Sequence, residues 1–282
     1  MQSIVRKPTH LRQFNQFKKD AAAGTLPSFS WINPLFAANP ITGEGANDQH
    51  PDHSIARGEH FLKDIYETLR KSPAWNETLL VITYDEHGGF WDHVPVPTVG
   101  VPAPDDVEAS YPLENYTFDR LGVRIPTVLV SPLIPRGTVI SAPPSAQKPA
   151  ASSEYDLTSI MATARILLGM TDTEPLTTRD AWSATFEHVL SLETPRSDCP
   201  TELPDAPKPG DEWSLEAEMA LPINELQRDI LGSLSRAAGE ERPAPLATQG
   251  EIAGHLRGLL PRVFERAHAH AAGAPERRDF EE

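Results

Sequence analysis

Residues 79–97 read LLVITYDEHGGFWDHVPVP, an apolar run joined directly to a group of acidic and imidazole side chains. The apolar part, Leu79 to Tyr84, has no polar face, and this predicts a buried central strand of a parallel sheet. In an open α/β sheet the ligand crevice lies just beyond the carboxyl ends of such strands. The sequence therefore predicts an active site in the residues that follow Tyr84.

Asp85 and Glu86 are adjacent carboxylates and the candidate metal ligands of this chain. On a regular strand they would point to opposite faces, so both can reach one ion only if the backbone leaves the extended form. Gly88 and Gly89 make such a turn inexpensive. Two adjacent carboxylates repel unless protons or a cation neutralise them, and oxygen ligands favour a divalent ion such as Ca²⁺, Mg²⁺ or Mn²⁺. The alternative is a solvated acidic loop.

Three histidines are candidate catalytic residues: His87 and His93 within the motif, and His50 ahead of it. An imidazole can bind a metal, transfer a proton or donate to a phosphate oxygen. His50 lies in NDQHPDH, residues 47–53, just before a predicted helix, where free backbone N–H groups favour an anionic ligand. His53, in the same loop, is a weaker candidate. Each histidine could equally be structural or exposed.

Other side chains near the motif are expected to be structural. Phe90 and Trp91 should shape the core or the pocket wall. Ser131 ends a second predicted buried strand, Val123 to Val130, but no G-x-S-x-G elbow surrounds it. The sequence also contains no Walker loop, dinucleotide fingerprint, H-E-x-x-H motif or paired C-x-x-C.

Apolar residues at helical spacing predict helices over residues 54–71, 156–168, 215–234 and 251–270. In the second of these, the predicted apolar stripe is Leu157, Ile160, Met161, Ala164 and Leu167. From about Thr201 the composition shifts to Pro, Glu and Ala. We therefore divide the chain into a main domain, residues 1–204, and a helical C-terminal extension, residues 205–282.

The net charge and the apolar content of the sequence limit the kinds of ligand and surface that the chain is expected to bind. A formal net charge of −15 argues against nucleic-acid binding and against simple electrostatic adhesion to an anionic membrane. It leaves a phosphate-bearing substrate possible, because a metal can invert the field inside a cleft. The sequence shows no secretory signal and no apolar run of the ~18–20 residues that a membrane span needs. We expect a soluble chain that contacts membrane surfaces at most transiently, with its compartment and oligomeric state open.

The motif resembles the signature of the phosphoesterase family that contains the non-specific phospholipases C of plants and bacteria and a group of acid phosphatases. The resemblance covers about residues 26–204. It is carried by residues 47–95, GVRIPTVLVSPLIPRGTV (122–139), SSEYDLTSIMATARILLG (152–169), LTTRDAWSATFE (176–187) and RSDCP (196–200).

This resemblance implies an alkaline-phosphatase-like three-layer α/β/α sandwich. Asp85 and Glu86 match the family's metal-binding acidic pair, and His50 matches the histidine of its Asp-x-His-Pro loop, a phosphate contact. His87 and His93 match the histidines of the signature. The family's N-terminal part, with further metal ligands and a threonine or serine nucleophile, has no counterpart here. We therefore expect a partial sandwich with peripheral C-terminal helices and an uncovered sheet edge or face.

The resemblance implies hydrolysis of phosphoric esters, most directly phospholipase C-type cleavage of glycerophospholipids to diacylglycerol and a phosphorylated head group. The metal would act as a Lewis acid, and one of the three candidate histidines would protonate the leaving alkoxide. One alternative is an acid phosphatase that acts on phosphomonoesters. Another is a truncated, non-catalytic remnant that binds metal or lipid.

Overall fold

The computed structural model describes residues 10–39, 44–106, 116–210, 214–240 and 245–273. The chain divides into two compact units. The first is drawn from Met1–Asp20, Trp31–Thr68 and Glu202–Glu282, and the second from Ala21–Ser30 and Leu69–Thr201. The described residues form a mixed α/β structure in which helices predominate.

Two helices precede the sheet: α1, Phe14–Ala23, and α2, Ile55–Arg70. The second confirms the predicted helix over 54–71. Its apolar stripe buries Ile65, Tyr66 and Leu69, as the helical spacing predicts. The helix ends before Pro73, which cannot donate a backbone hydrogen bond within a helix.

The sheet consists of β1, Leu80–Thr83, and β2, Thr127–Val130. The strands pair antiparallel, with Leu80 opposite Val130 and Thr83 opposite Thr127. The hydroxyl oxygens of Thr83 and Thr127 lie 2.9 Å apart and extend the pairing by a side-chain hydrogen bond. Both strands stand where the sequence predicted strands.

The prediction of a buried parallel strand is wrong for β1. Its pairing is antiparallel and all four residues are half-buried. On β2, Thr127 and Val128 are exposed, Val128 to 52%. An apolar run indicates that a strand is buried, but it does not indicate whether the neighbouring strand runs parallel or antiparallel. The hydrophobic pattern alone therefore could not predict the antiparallel pairing. Within the described ranges the sheet has two strands, so each strand has one edge without a strand partner.

The second unit also contains α3, Thr158–Leu167, and α4, Thr178–Trp182, which pack together. Asp156 accepts a hydrogen bond from the Thr158 backbone at 2.8 Å, and Gly169 follows the helix with a φ of +67°. The predicted stripe is wrong, because the helix buries Ser159, Ala162 and Thr163 instead. Thr163 turns inward because its hydroxyl accepts the Phe186 backbone N–H at 3.0 Å.

Three helices follow in the first unit: α5, Leu215–Ala220, α6, Glu225–Ala237, and α7, Gln249–Gly273. The single helix predicted over 215–234 is therefore two helices. Pro222 separates them, and Leu221 before it is extended, as the residue before proline usually is. The core between α6 and α7 consists of Leu231, Ala238, Ile252 and Leu259. None of the helices in the described part of the chain is long and apolar enough to cross a membrane.

Candidate functional site

The NDQHPDH loop contains a buried ion pair. The Nδ1 atom of His53 lies 2.6 Å from Oδ1 of Asp48, and both side chains are almost fully buried. Burial acts to lower the pKa of His53, but the hydrogen bond to Asp48 and the charges of Asp48, Asp52 and Glu218 outweigh it, so the pKa is raised. The pair therefore holds the loop together just before α2 begins.

His50 lies between these two residues and is more accessible. Its backbone N–H donates to Oδ2 of Asp48 at 3.3 Å, and its Nδ1 lies 3.4 Å from Oδ1 of Asp52. Its side chain retains 18% exposure. With Nδ1 facing a carboxylate, the Nε2 atom is the ring nitrogen available to a ligand.

The acidic pair immediately follows β1. Asp85, Glu86 and His87 are all exposed. Gly88 and Gly89 have φ values of +66° and +71°, so the chain leaves the extended form where the sequence predicted a turn. The Glu86 carboxylate accepts the Gly88 backbone N–H at 2.6 Å and lies 3.7 Å from Nδ1 of His87.

Asp92 and His93 end the motif in different surroundings. Asp92 accepts two hydrogen bonds from the Arg124 guanidinium, at 2.7 and 2.8 Å, and one from the Val94 backbone at 3.1 Å. Arg124, followed by the Val94 N–H, holds the pKa of Asp92 far below its usual range. His93 is 76% exposed and lies 3.4 Å from Asp92. Asp92 thus ties the end of the motif to the segment before β2.

The residues near the motif that were predicted to be structural lie in different surroundings. Phe90 and Trp91 do not lie in the core, because their exposed fractions are 68% and 86%, and the alternative that they shape a pocket wall stays a prediction. Ser131 is buried, and its hydroxyl accepts the Leu133 backbone N–H at 3.2 Å, in keeping with a structural role. Arg124 went unnoticed in the sequence, since a single arginine 32 positions after Asp92 gives no local signal.

A divalent cation would find an incomplete donor set at the acidic pair. Two carboxylates on a tight turn fit part of the six or more oxygen ligands that such an ion takes. Among the residues that the structure describes, no group of three or more His, Cys, Asp or Glu side chains could hold a metal ion. His50 belongs to the first unit, whereas the acidic pair, His87 and His93 belong to the second.

A family model described as the Phosphoesterase family matches residues 2–170. Non-specific phospholipase C6 of Arabidopsis thaliana is 53% identical over 198 residues, which are 70% of this chain and 37% of the relative. Non-specific phospholipase C1 of the same plant is 42% identical over 241 residues, 84% of this chain and 44% of the relative.

A bacterial relative is more distant. Phospholipase C A of Mycobacterium tuberculosis is 34% identical over 126 residues, which are 41% of this chain and 22% of that protein. The chain thus spans less than half the length of each of these three relatives.

Proposed function

Because this chain belongs to the phosphoesterase family, we propose that it serves phospholipase C-type hydrolysis of glycerophospholipids to diacylglycerol and a phosphorylated head group. The observation that carries the proposal is the turn after β1, where Asp85, Glu86 and His87 lie just before two glycines with positive φ values. Similarity to relatives named phospholipase C supports the same reaction. The substrate is a phospholipid or another phosphate ester, and nucleic acid does not suit the net charge of −15.

We also propose the finer architecture that the family resemblance implies. In it, β1 and β2 belong to part of an alkaline-phosphatase-like three-layer α/β/α sandwich within residues 1–204, and residues 205–282 form a helical extension. The mixed α/β structure supports this arrangement.

Asp85 and Glu86 are the proposed ligands of a divalent cation, with Ca²⁺, Mg²⁺ or Mn²⁺ favoured by oxygen donors. Such an ion supplies Lewis-acid stabilisation of charge on phosphoryl oxygens. The Glu86 carboxylate also faces Nδ1 of His87 at 3.7 Å, which helps to hold that ring and leaves Nε2 for the substrate.

In this proposal, a histidine side chain donates the proton that the reaction needs. In the net hydrolysis a water oxygen becomes bonded to phosphorus and the bond between phosphorus and the glycerol oxygen breaks, so the departing alkoxide needs a proton. A protonated imidazole of His87 or His93 supplies it, a contribution of roughly 100- to 10,000-fold in rate. His50, whose Nδ1 faces Asp52, contacts a phosphate oxygen through Nε2.

The test compares the chain with Asp85→Asn and with Asp172→Asn, which removes an exposed carboxylate of the same unit outside the site. Phosphocholine release from phosphatidylcholine is measured with each divalent ion added. We expect Asp85→Asn to lose at least about 100-fold in rate, the scale of losing transition-state charge stabilisation, while Asp172→Asn keeps its rate. Near-normal turnover by Asp85→Asn would refute the assignment.

A parallel assay with p-nitrophenyl phosphate separates the alternative reactions. Faster hydrolysis of this monoester than of phosphatidylcholine would favour the acid phosphatase. Metal binding without hydrolysis of either substrate would favour the non-catalytic alternative.

A further inference from the structure

Asp52 has an unusual backbone. Its φ is +63°, in the left-handed region that residues with a side chain rarely adopt. Glycine would adopt this conformation without strain but would remove the carboxylate. The Oδ1 atom of that carboxylate meets two groups: Nδ1 of His50 at 3.4 Å and Nδ2 of Asn224 at 2.9 Å. The left-handed backbone of Asp52 is strained, and its Oδ1 atom contacts two groups. Together these observations suggest that the Asp52 carboxylate has a function.

Asn224 is held rigidly from the other side. It is the N-cap of α6, where its Oδ1 accepts the Gln227 backbone N–H at 2.8 Å. In return, Oε1 of Gln227 accepts the Asn224 backbone N–H at 3.2 Å, which completes a capping box. Because the side-chain oxygen of Asn224 is committed to the cap, its amide nitrogen faces Asp52.

Further buried contacts fix α5 and α6 against the segment that contains the loop. Nε2 of Gln227 donates to the Phe36 carbonyl at 2.9 Å, and Gln227 is 2% exposed. On α5, Oε1 of the buried Glu218 accepts the Ala46 backbone N–H at 2.6 Å, and Oε2 pairs with Arg57. The Asn224–Asp52 hydrogen bond is itself exposed to solvent, and these buried contacts hold the elements on either side of it in place.

We propose that Asn224 is a positioning residue for His50, acting through Asp52. Asn224 fixes the Asp52 carboxylate, and that carboxylate selects the imidazole form with the proton on Nδ1, which leaves Nε2 free for the phosphoryl group. The partner of one ring nitrogen decides which tautomer a histidine adopts. The inference rests on the proposed role of His50 in phosphoester hydrolysis, but the tautomer itself can be measured without any substrate.

The experiment reads the His50 tautomer in ¹⁵N-histidine-labelled protein at about pH 8, where an ordinary imidazole is neutral. Two-bond ¹H–¹⁵N spectra distinguish the Nδ1–H and Nε2–H forms, and a His50→Gln variant assigns the signal. We expect the Nδ1–H form to dominate in the unaltered chain. A dominant Nε2–H form there would overturn the proposal.

Two substitutions separate positioning from helix capping. Asn224→Asp and Asn224→Ser both keep an oxygen that caps a helix well, but neither keeps the amide donor. We expect each to lower the ratio of Nδ1–H to Nε2–H at least about fivefold, the effect of one ordinary hydrogen bond. Ser214→Ala removes the N-cap of α5 and should leave the ratio unchanged. Unchanged ratios in both Asn224 variants, or an equal shift in Ser214→Ala, would show that Asn224 is only a cap.

Kinetics separate this inference from the proposed function. Asn224→Ser should lower kcat about 10-fold with little change in KM, the loss expected for a residue that orients another. Absence of hydrolysis by the unaltered chain would refute the proposed function and leave the tautomer result standing. Hydrolysis with an unaltered tautomer in the variants would refute the positioning role alone.

Discussion

His53 shows what a buried imidazole contributes at the scale of one residue. Its raised pKa means that the folded state binds its proton more tightly than the unfolded state does. The stabilisation is therefore complete below the unfolded pKa of about 6.5 and is lost as pH rises through the higher folded value. His53 thus supports the loop that holds His50, whereas the sequence presented it as a weaker site candidate.

Asp48→Asn tests this linkage. At pH 5.5 the variant leaves a buried imidazolium without its carboxylate, and we expect a loss of about 3–5 kcal/mol in the free energy of unfolding. As pH rises the imidazole loses its charge, and the loss should approach the roughly 1.5–3 kcal/mol of a hydrogen bond from a neutral donor to a charged carboxylate. Urea unfolding of both proteins as pH is raised measures the difference. A difference that stays constant or grows with pH would contradict the assignment.

The sequence identified the acidic, histidine and glycine residues of the site. It did not identify the residues that form hydrogen bonds with them. Asp85, Glu86 and the glycine pair formed a recognisable local pattern, and the positive φ values confirm the predicted turn. Arg124 and Asn224 carried no such signal. Their partners Asp92 and Asp52 lie 32 and 172 positions away along the chain, beyond the range of any local pattern.

At the scale of elements, periodicity located the helices and strands better than it oriented them. Helix α2 and both strands stand where they were predicted. Strand direction and the buried face of α3 depend on neighbours that the local pattern does not contain. The sequence contained a signal for the break between α5 and α6, since a proline such as Pro222 kinks or breaks a helix, whereas α7 continues through Pro261.

The contact of α6 with α7 provides the test at this scale. Leu259 is fully buried between the two helices, whereas its neighbour Leu260 is 37% exposed. We expect Leu259→Ala to cost about 2–5 kcal/mol, because it removes buried surface and leaves a cavity. The matched Leu260→Ala should cost less than about 1 kcal/mol, since much of that side chain already meets water. Urea unfolding measures both, and equal losses would contradict the described packing.

At the scale of the whole molecule, the C-terminal helices belong to the same compact unit as the NDQHPDH loop. The sequence predicted these helices as a peripheral extension, because composition alone separates them from the rest. The structure shows Glu218, Asn224 and Gln227 bonded to the segment between Phe36 and Arg57. The amino-acid composition of a segment indicates its polarity and its secondary-structure propensity. It does not indicate which distant residues the segment contacts.

The family assignment draws on residues 2–170, yet the proposed reaction depends on a few oxygen atoms after β1. Isothermal titration calorimetry with Ca²⁺, Mg²⁺ and Mn²⁺ tests that dependence most directly. The chain and its Asp172→Asn variant should bind at least one of these ions, and Asp85→Asn and Glu86→Gln should each bind it at least about 10-fold more weakly. The same affinity in all four proteins, or no binding by the unaltered chain, would contradict the central claim.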